Sequence, residues 1–221
     1  MQQAARNALL TISSTNCGNR ETLRGLVLNR LELPTEPLID YAVKAIQDWI
    51  GADLAHLNDF PTFFGLLEHS DRRIQTAALI SLKQRLPNAG YEESLEKANI
   101  IHTLRSLSNS DNPEALNFVS VALRALALSL AQNGHASNII NLLEHKEPKV
   151  RDGAAAALEA ISSGSPRDRK LLLEQDIIER LVGHEEHLEQ TQIQVLASTV
   201  PLLALDYLDA GKVDVVFRLV E

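Results

Sequence analysis

The chain has 221 residues, of which 45% are hydrophobic and 4% aromatic, and its formal net charge is −8. This acidic balance argues against a duplex-DNA ligand, because neutralising phosphates requires a clustered Lys and Arg surface. The single cysteine, Cys17, excludes an internal disulfide framework, and no apolar run of 18 residues predicts a membrane span. We therefore expect an intracellular protein, cytoplasmic or nuclear, that neither binds nucleic acid nor inserts into a membrane.

One short segment recurs along the chain at a nearly fixed interval. Residues 63–69 (FFGLLEH) return as residues 139–145 (IINLLEH). Weaker copies begin at Val27, Ile100, Ile177 and Val215. The spacing of 36 to 39 residues between successive copies is typical of an α-solenoid, whose helical units bury their apolar faces only by stacking on their neighbours.

The repeat predicts a single solenoid domain over residues 1–221. The repeats are expected near 27–62, 63–99, 100–138, 139–176 and 177–214, with partial repeats at 1–26 and 215–221. Neither end reads as a polar capping repeat, which a solenoid needs for solubility. We expect either a segment of a longer solenoid or ends that another molecule covers, including end-to-end self-association. The alternative is that the truncated helices themselves serve as caps.

In chain order, the apolar periodicity predicts long helices at 38–50, 72–86, 115–130, 150–161 and 188–200. Pro37, Pro113 and Pro148 each precede one of them, as expected for the first turn, where the missing N–H is unpaired anyway. Pro201 is expected to end or kink the last helix near Val200, so that residues 202–208 join the following short helix.

The third copy shows the order of helices within one unit. A short amphipathic helix at 139–145 is followed by a break and by the long helix, which the sequence Ser163-Gly164-Ser165-Pro166 stops. A second short helix is predicted at 169–175, before Ile177 restarts the cycle.

This order resembles the armadillo repeat, most clearly over residues 148–182 (PKVRDGAAAALEAISSGSPRDRKLLLEQDIIERLV). The HEAT repeat, with two helices per unit, is the near alternative, although a short helix predicted at 91–99 favours armadillo. The resemblance implies an all-α, right-handed α-solenoid of about five armadillo-like or HEAT-like repeats, with incomplete repeats at both ends.

No constellation of residues predicts an enzyme, a metal site or a cofactor. Cys17 reads as an incidental loop thiol. His184 and His187 are three residues apart in a predicted turn, whereas a metalloprotease helix places its histidines four apart. His69 and His145 occupy the same repeat position, so their pairing follows from the repeat and does not indicate a ligand set.

The resemblance also implies that the long helices line a concave groove. Peptide-binding armadillo proteins carry an Asn near the end of each long helix, and some add a Trp one turn earlier. The Asn slot here holds Thr11, Asp48, Gln84, Ala125, Ala160 and Ser198. The Trp slot holds Asn7, Lys44, Ile80, Val121, Ala156 and Gln194. Neither ladder is present, which disfavours a karyopherin-like carrier of basic peptides.

We therefore predict a protein-interaction scaffold or adaptor whose groove binds a partner helix, peptide or domain. The alternative is a structural spacer within a larger solenoid. The candidate contact residues of the groove are Lys44, Asp48, Gln84, Arg124, Glu159 and Ser198.

Overall fold

The computed structural model describes residues 39, 40, 43, 46, 60–84, 86, 95, 99–182, 190–212 and 214, and these form helices and turns without a strand. The chain divides into two units, Met1–Leu82 and Lys83–Glu221. The first unit contains α1 (Phe60–Leu67) and most of α2 (Arg72–Lys83). The helices of the second unit are α3 (Ile100–Ser108), α4 (Pro113–Ala125), α5 (Ala127–Gln132), α6 (Ala136–Asn141), α7 (Pro148–Ser162), α8 (Pro166–Leu173), α9 (Ile177–Val182) and α10 (Gln190–Asp209).

The turn between α1 and α2 is built from side-chain hydrogen bonds. The backbone N–H of Asp71 donates to Nδ1 of His69 at 2.9 Å, and Gln75 Nε2 donates to the Leu67 carbonyl at 2.9 Å. The hydrogen bond from the Arg73 side chain lowers the pKa of the Asp71 carboxyl below its ordinary value. One face of α2 is buried. It carries Ile74, Ala77, Ala78 and Leu82, which recur at steps of three, one and four residues.

In the second unit the helices follow the short, long, short order that the sequence predicts. The long helix α7 packs against both α4 and α10, and the short helix α8 packs against α5 and α10. The remaining short helices α3, α6 and α9 pack on α4, α7 and α10 respectively. Each helix therefore lies beside its counterpart in a neighbouring repeat or against the long helix of its own repeat. The core contains fully buried side chains, among them Phe118, Leu123, Leu158, Ile161 and Tyr207.

The predicted helix starts at two prolines are confirmed. Helix α4 begins at Pro113 and α7 begins at Pro148, each with proline in the first turn. Asn112, inside the polar segment before α4, accepts a hydrogen bond from the Glu114 N–H at 3.1 Å and caps that helix. Pro37 lies outside the described residues, and so does most of the helix predicted at 91–99.

The short helix after α7 begins earlier than predicted. Ser165 and Pro166 belong to its start, because Ser165 is the N-cap of α8 and Pro166 is its first residue. The long helix predicted at 115–130 is also divided in two, with Leu126 between α4 and α5.

The prediction that Pro201 ends a helix near Val200 is wrong, whereas a kink at Pro201 stays a prediction. Helix α10 is one α-helix of 20 residues with Pro201 inside it, so residues 202–208 do not form a separate helix. Four residues spaced by four hold both halves against neighbouring helices: Val195, Thr199, Leu203 and Tyr207, each at most 1% exposed. Proline removes one hydrogen bond to the carbonyl four residues earlier. Pro201 and Ala197 are both exposed, so the lost hydrogen bond lies on the exposed side of α10.

A left-handed residue precedes two of the repeat starts. Asn99 has φ 59° and Asp176 has φ 49°, and each stands directly before the first residue of a short helix, Ile100 or Ile177. Asn and Asp are the non-glycine residues that adopt this conformation most readily. The two positions are equivalent in the repeat, so the same local backbone geometry recurs with it.

No helix among the described residues combines the length and the apolar character that crossing a membrane requires.

Candidate functional site

The candidate surface is the exposed side of the long helices α4, α7 and α10, which we call the long-helix face. The distance between α4 and α7 within this face is set by a close approach of the two helices at Gly153. A Cβ atom added to Gly153 would lie 2.5 Å from the Cα and 2.9 Å from the Oγ of Ser120. Glycine is therefore required here for the two backbones to approach this closely.

On α4 and α7 the long-helix face is charged and lined by small residues. Arg124 and Glu159 are exposed, one on each helix. Ala125 is exposed beside Arg124, while Val121, Ala156 and Ala160 are half-buried. Since no side chain larger than valine stands among these four, a partner could approach the backbones of both helices.

The six predicted contact residues have different outcomes. Lys44 and Asp48 lie outside the described residues. Gln84 is exposed in the turn after α2, and Arg124 and Glu159 are exposed on adjacent helices. Ser198 is half-buried on α10, and its Oγ donates to the Val195 carbonyl at 3.1 Å. Their role in binding stays a prediction.

The charges of Arg124 and Glu159 are available to a ligand. Neither side chain forms a hydrogen bond or an ion pair with another residue that the structure describes. An exposed pair of opposite charge on packed helices can select a partner through complementary charges, which affect specificity and association rate more than total affinity.

One residue on the same face was not singled out from the sequence. Asn117 lies on α4 seven residues before Arg124. Seven residues are close to two helical turns, so Asn117 returns to the side of the helix that carries Arg124. The helical periodicity of the sequence therefore contained the signal.

The two histidines at equivalent repeat positions have a structural role. Nδ1 of His145 accepts a hydrogen bond from the Glu147 N–H at 3.2 Å, as Nδ1 of His69 does from Asp71. Burial lowers the pKa of His145 below its ordinary value, which favours the neutral ring. With Nδ1 as acceptor, the ring proton is on Nε2. The prediction that this pair follows from the repeat agrees with the geometry of both turns.

Within the described residues, His, Cys, Asp and Glu do not gather in groups of three or more that could hold a metal ion. Cys17, His184 and His187 lie outside those residues, so their interpretation stays a prediction.

A buried carboxylate links the short helices behind the long-helix face. Asp168 is 6% exposed and forms a capping box with Ser165 at the start of α8. Its Oδ2 accepts from the Ser165 hydroxyl at 2.6 Å and from the Ser165 N–H at 3.0 Å. Its Oδ1 accepts from Gln132 Nε2 of α5 at 2.8 Å. The Ser165 hydroxyl, followed by the Gln132 amide, lowers the pKa of Asp168 below its ordinary value.

Comparison with known proteins identifies the architecture. No protein-family model and no curated protein sequence matches the chain. Solved structures of designed armadillo repeat proteins do match. One, solved in complex with the peptide (KR)4, has a TM-score of 0.55 at 19% identity and covers 90% of this chain and 92% of its own.

A second solved structure, of armadillo repeat proteins computationally designed for modular peptide recognition, has a TM-score of 0.57 at 19% identity. The match covers 90% of this chain and 92% of the designed chain. A further designed armadillo repeat protein has a TM-score of 0.52 at 19% identity and covers 91% and 92% of the two chains. The chain therefore has an armadillo-repeat fold and belongs to the all-α solenoid class of architectures.

Proposed function

We propose that this protein is a non-enzymatic interaction scaffold whose long-helix face binds a helix or an extended peptide of a partner protein. The observation that supports it most directly is the exposed pair Arg124 and Glu159, which has no partner among the described residues and lies on adjacent packed helices. The designed neighbours, two of which are described as peptide complexes or peptide recognition proteins, show that this architecture supports peptide binding.

The residues around the charged pair favour a helical partner. Small residues (Val121, Ala125, Ala156 and Ala160) leave room for the larger apolar side chains of an amphipathic helix, which docks in a groove through anchors spaced by three and four residues. One designed neighbour was solved in complex with (KR)4, a peptide in which Lys and Arg alternate. This chain lacks Asn in the slots at Ala125, Ala160 and Ser198, so we do not expect regular recognition of a peptide backbone.

A charge-swap experiment tests the proposal. Amphipathic helical peptides are selected from a displayed library against the full chain, and a selected ligand is measured against Arg124→Glu, Glu159→Lys and the double variant. We expect each single variant to lose at least about tenfold in affinity, or about 1.4 kcal/mol. A ligand with reversed charges should recover the loss on the double variant, because the charges are again complementary.

The matched control is Arg167→Glu, which makes the same charge change at an exposed position of the short helix α8. If Arg167→Glu weakens the selected ligand as much as Arg124→Glu does, the loss reflects net charge and the long-helix face is not the site. Tight binding of a (KR)4 peptide that Arg124→Glu strengthens would instead support a carrier of basic peptides.

A second candidate function, a structural segment on which helices stack, is favoured by the exposed apolar side of α10. Ile193 and Leu208 are 47% and 43% exposed, and Ala197, Val200 and Ala204 complete one stripe between them at steps of three and four residues. This stripe is separate from the buried side that carries Val195 to Tyr207. In the described repeats, long helices pack on long helices, α7 on α4 and α10 on α7. We therefore take α10 of a second copy of the chain as the helix that covers this stripe.

Sedimentation of the full chain over a range of concentrations tests this stacking. We expect a mass that rises with concentration, and we expect Ile193→Glu to shift the rise to at least tenfold higher concentration because a buried charge is costly. Leu205→Glu is the control, since Leu205 is 73% exposed but lies off the stripe. A monomer at all concentrations, or equal effects of the two variants, would exclude it.

A further inference from the structure

A pocket of about 190 Å³ lies between the short helices α3 and α6, away from the long-helix face. Its walls are Ile101, Arg105, Ser108 and Asn109 on one side and Asn138, Asn141, Leu142 and His145 on the other. A volume below the roughly 300 Å³ of a small-molecule site suits a single functional group better than a whole drug-sized ligand. The lining residues include polar groups from two successive repeats and no carboxylate.

The free hydrogen-bonding groups of this pocket are mostly donors. The guanidinium of Arg105 and the side-chain amide of Asn138 form no hydrogen bond or ion pair with other described residues. The Asn138 side chain offers a donor NH2 group and one acceptor oxygen. Arg180 of α9 donates to Oδ1 of Asn141, which leaves the Asn141 NH2 group as a donor. His145 uses Nδ1 as an acceptor for the Glu147 N–H, so its Nε2–H is also a donor.

An oxyanion is the ligand that such a set of groups recognises. A carboxylate or a phosphoryl group offers several acceptor oxygens and a negative charge, and hydrogen bonds from a charged arginine to such oxygens are stronger than neutral ones. The chain carries a net charge of −8, so a pocket with an arginine and without an acidic lining residue differs from the average surface. The aliphatic side chains of Ile101 and Leu142 would pack against the carbon atoms that carry the oxyanion.

We propose that this pocket binds the oxyanion of a partner's side chain, either the carboxylate of Glu or Asp or the phosphoryl group of a phosphorylated residue. Arg105 supplies the charge, while Asn138, Asn141 and His145 orient the oxygens. Arg180 acts as a positioning residue, because it fixes which end of the Asn141 amide faces the pocket. The site is independent of the long-helix face, so the protein could hold one partner at two places.

The test uses the full chain and four probes at about 150 mM salt, where exposed charges are substantially screened. The probes are inorganic phosphate and three capped peptides that differ at one position only: glutamate, phosphoserine or glutamine. Two-dimensional NMR follows the side-chain N–H signals of Arg105, Asn138 and Asn141. We expect phosphate and the two acidic peptides to shift these signals, and the tighter peptide identifies the source of the oxyanion.

Two variants locate the binding site. Arg105→Gln removes the charge inside the pocket and should weaken the acidic probes at least tenfold, whereas Arg167→Gln removes an arginine from the short helix α8 and should change their affinity less than twofold. Both arginines are exposed, so neither change removes core packing. Arg180→Gln should weaken the probes while the Asn141 amide signals move in the free protein.

Three results would overturn the proposal. One is the absence of any shift of the pocket signals with phosphate and both acidic peptides. The second is equal binding of the glutamine and glutamate peptides without preference for phosphoserine. The third is an equal loss in Arg105→Gln and Arg167→Gln, which would indicate diffuse attraction to positive charge. Since the ligand selected on the long-helix face is measured separately, failure here leaves that proposal standing.

Discussion

Gly153→Ala lowers the free energy of unfolding by about 1–3 kcal/mol, the range expected when a methyl group is forced into a packed interface. The added Cβ would meet the Cα of Ser120 at 2.5 Å. A backbone atom cannot rotate away as a side chain can, so α4 and α7 must separate. The higher helix propensity of alanine, worth up to about 1 kcal/mol over glycine, opposes this effect but is smaller.

Gly65→Ala is the matched control for that substitution. Gly65 is exposed within α1, and a Cβ added there has no heavy atom within 4 Å. The same chemical change should therefore stabilise the protein by up to about 1 kcal/mol. Urea denaturation of both variants measures the two effects. A Gly153→Ala protein as stable as the wild type would show that the contact between α4 and α7 is looser than the structure indicates.

Asp168→Asn should lower the free energy of unfolding at pH 7 by about 1.5–3 kcal/mol, the range for hydrogen bonds to a charged group. The carboxylate accepts from the Ser165 hydroxyl, the Ser165 N–H and the Gln132 amide. An asparagine offers one acceptor oxygen, so its NH2 group must face at least one of these donors. The loss should uncouple α5 from α8.

The pH dependence of this difference has a definite sign. The pKa of Asp168 in the folded protein is lower than its ordinary value, so the unfolded chain binds more protons. The stabilisation is fully present above the ordinary aspartate pKa of about 3.9 and is lost as the pH falls through the lower folded pKa. The difference in the free energy of unfolding between wild type and Asp168→Asn should therefore be largest above about pH 5 and should decrease in acid.

Asp209→Asn serves as the control at an exposed aspartate at the end of α10, and we expect it to change stability by less than about 0.5 kcal/mol. Thermal unfolding of the three proteins between pH 2 and pH 8 provides the measurement. If the difference in stability between Asp168→Asn and wild type stays constant down to about pH 2, the ionised carboxylate does not supply the stabilisation.

The sequence predicts those parts of the fold that depend on local chemistry. The starts of α4 and α7 at Pro113 and Pro148 follow from the fixed φ and missing N–H of proline, and the repeat of apolar residues predicts the buried faces. Pro201 shows where this reasoning fails. The same local rule predicts a break there, but four buried residues of α10 pack against other helices and outweigh the loss of one hydrogen bond. Tertiary contacts of this kind cannot be read from a local pattern.

The candidate sites are predictable to different degrees. Arg124 and Glu159 could be placed on an exposed face by alignment of the repeats, because helical periodicity fixes the direction of a side chain. The importance of Gly153 could not be predicted from the sequence, since it depends on the contact with Ser120 of another repeat. The oxyanion pocket likewise combines Arg105 with Asn141 and His145, which are about forty positions further along the chain. Periodicity places each of them on a helix but does not show that a cavity lies between them.

Helix α10 distinguishes the last described repeat from the two before it. In those repeats, the long and short helices meet at Leu126 or at residues 163–165, whereas α10 runs for about 30 Å as one helix. Its first half carries Ser198, and its second half holds Arg169 through Asp206 at 2.5 Å and the N–H of Ile178 through Tyr207 at 3.3 Å. A displacement on the ligand side of this helix therefore reaches α8 and α9 through one helix, whose expected point of bending is Pro201.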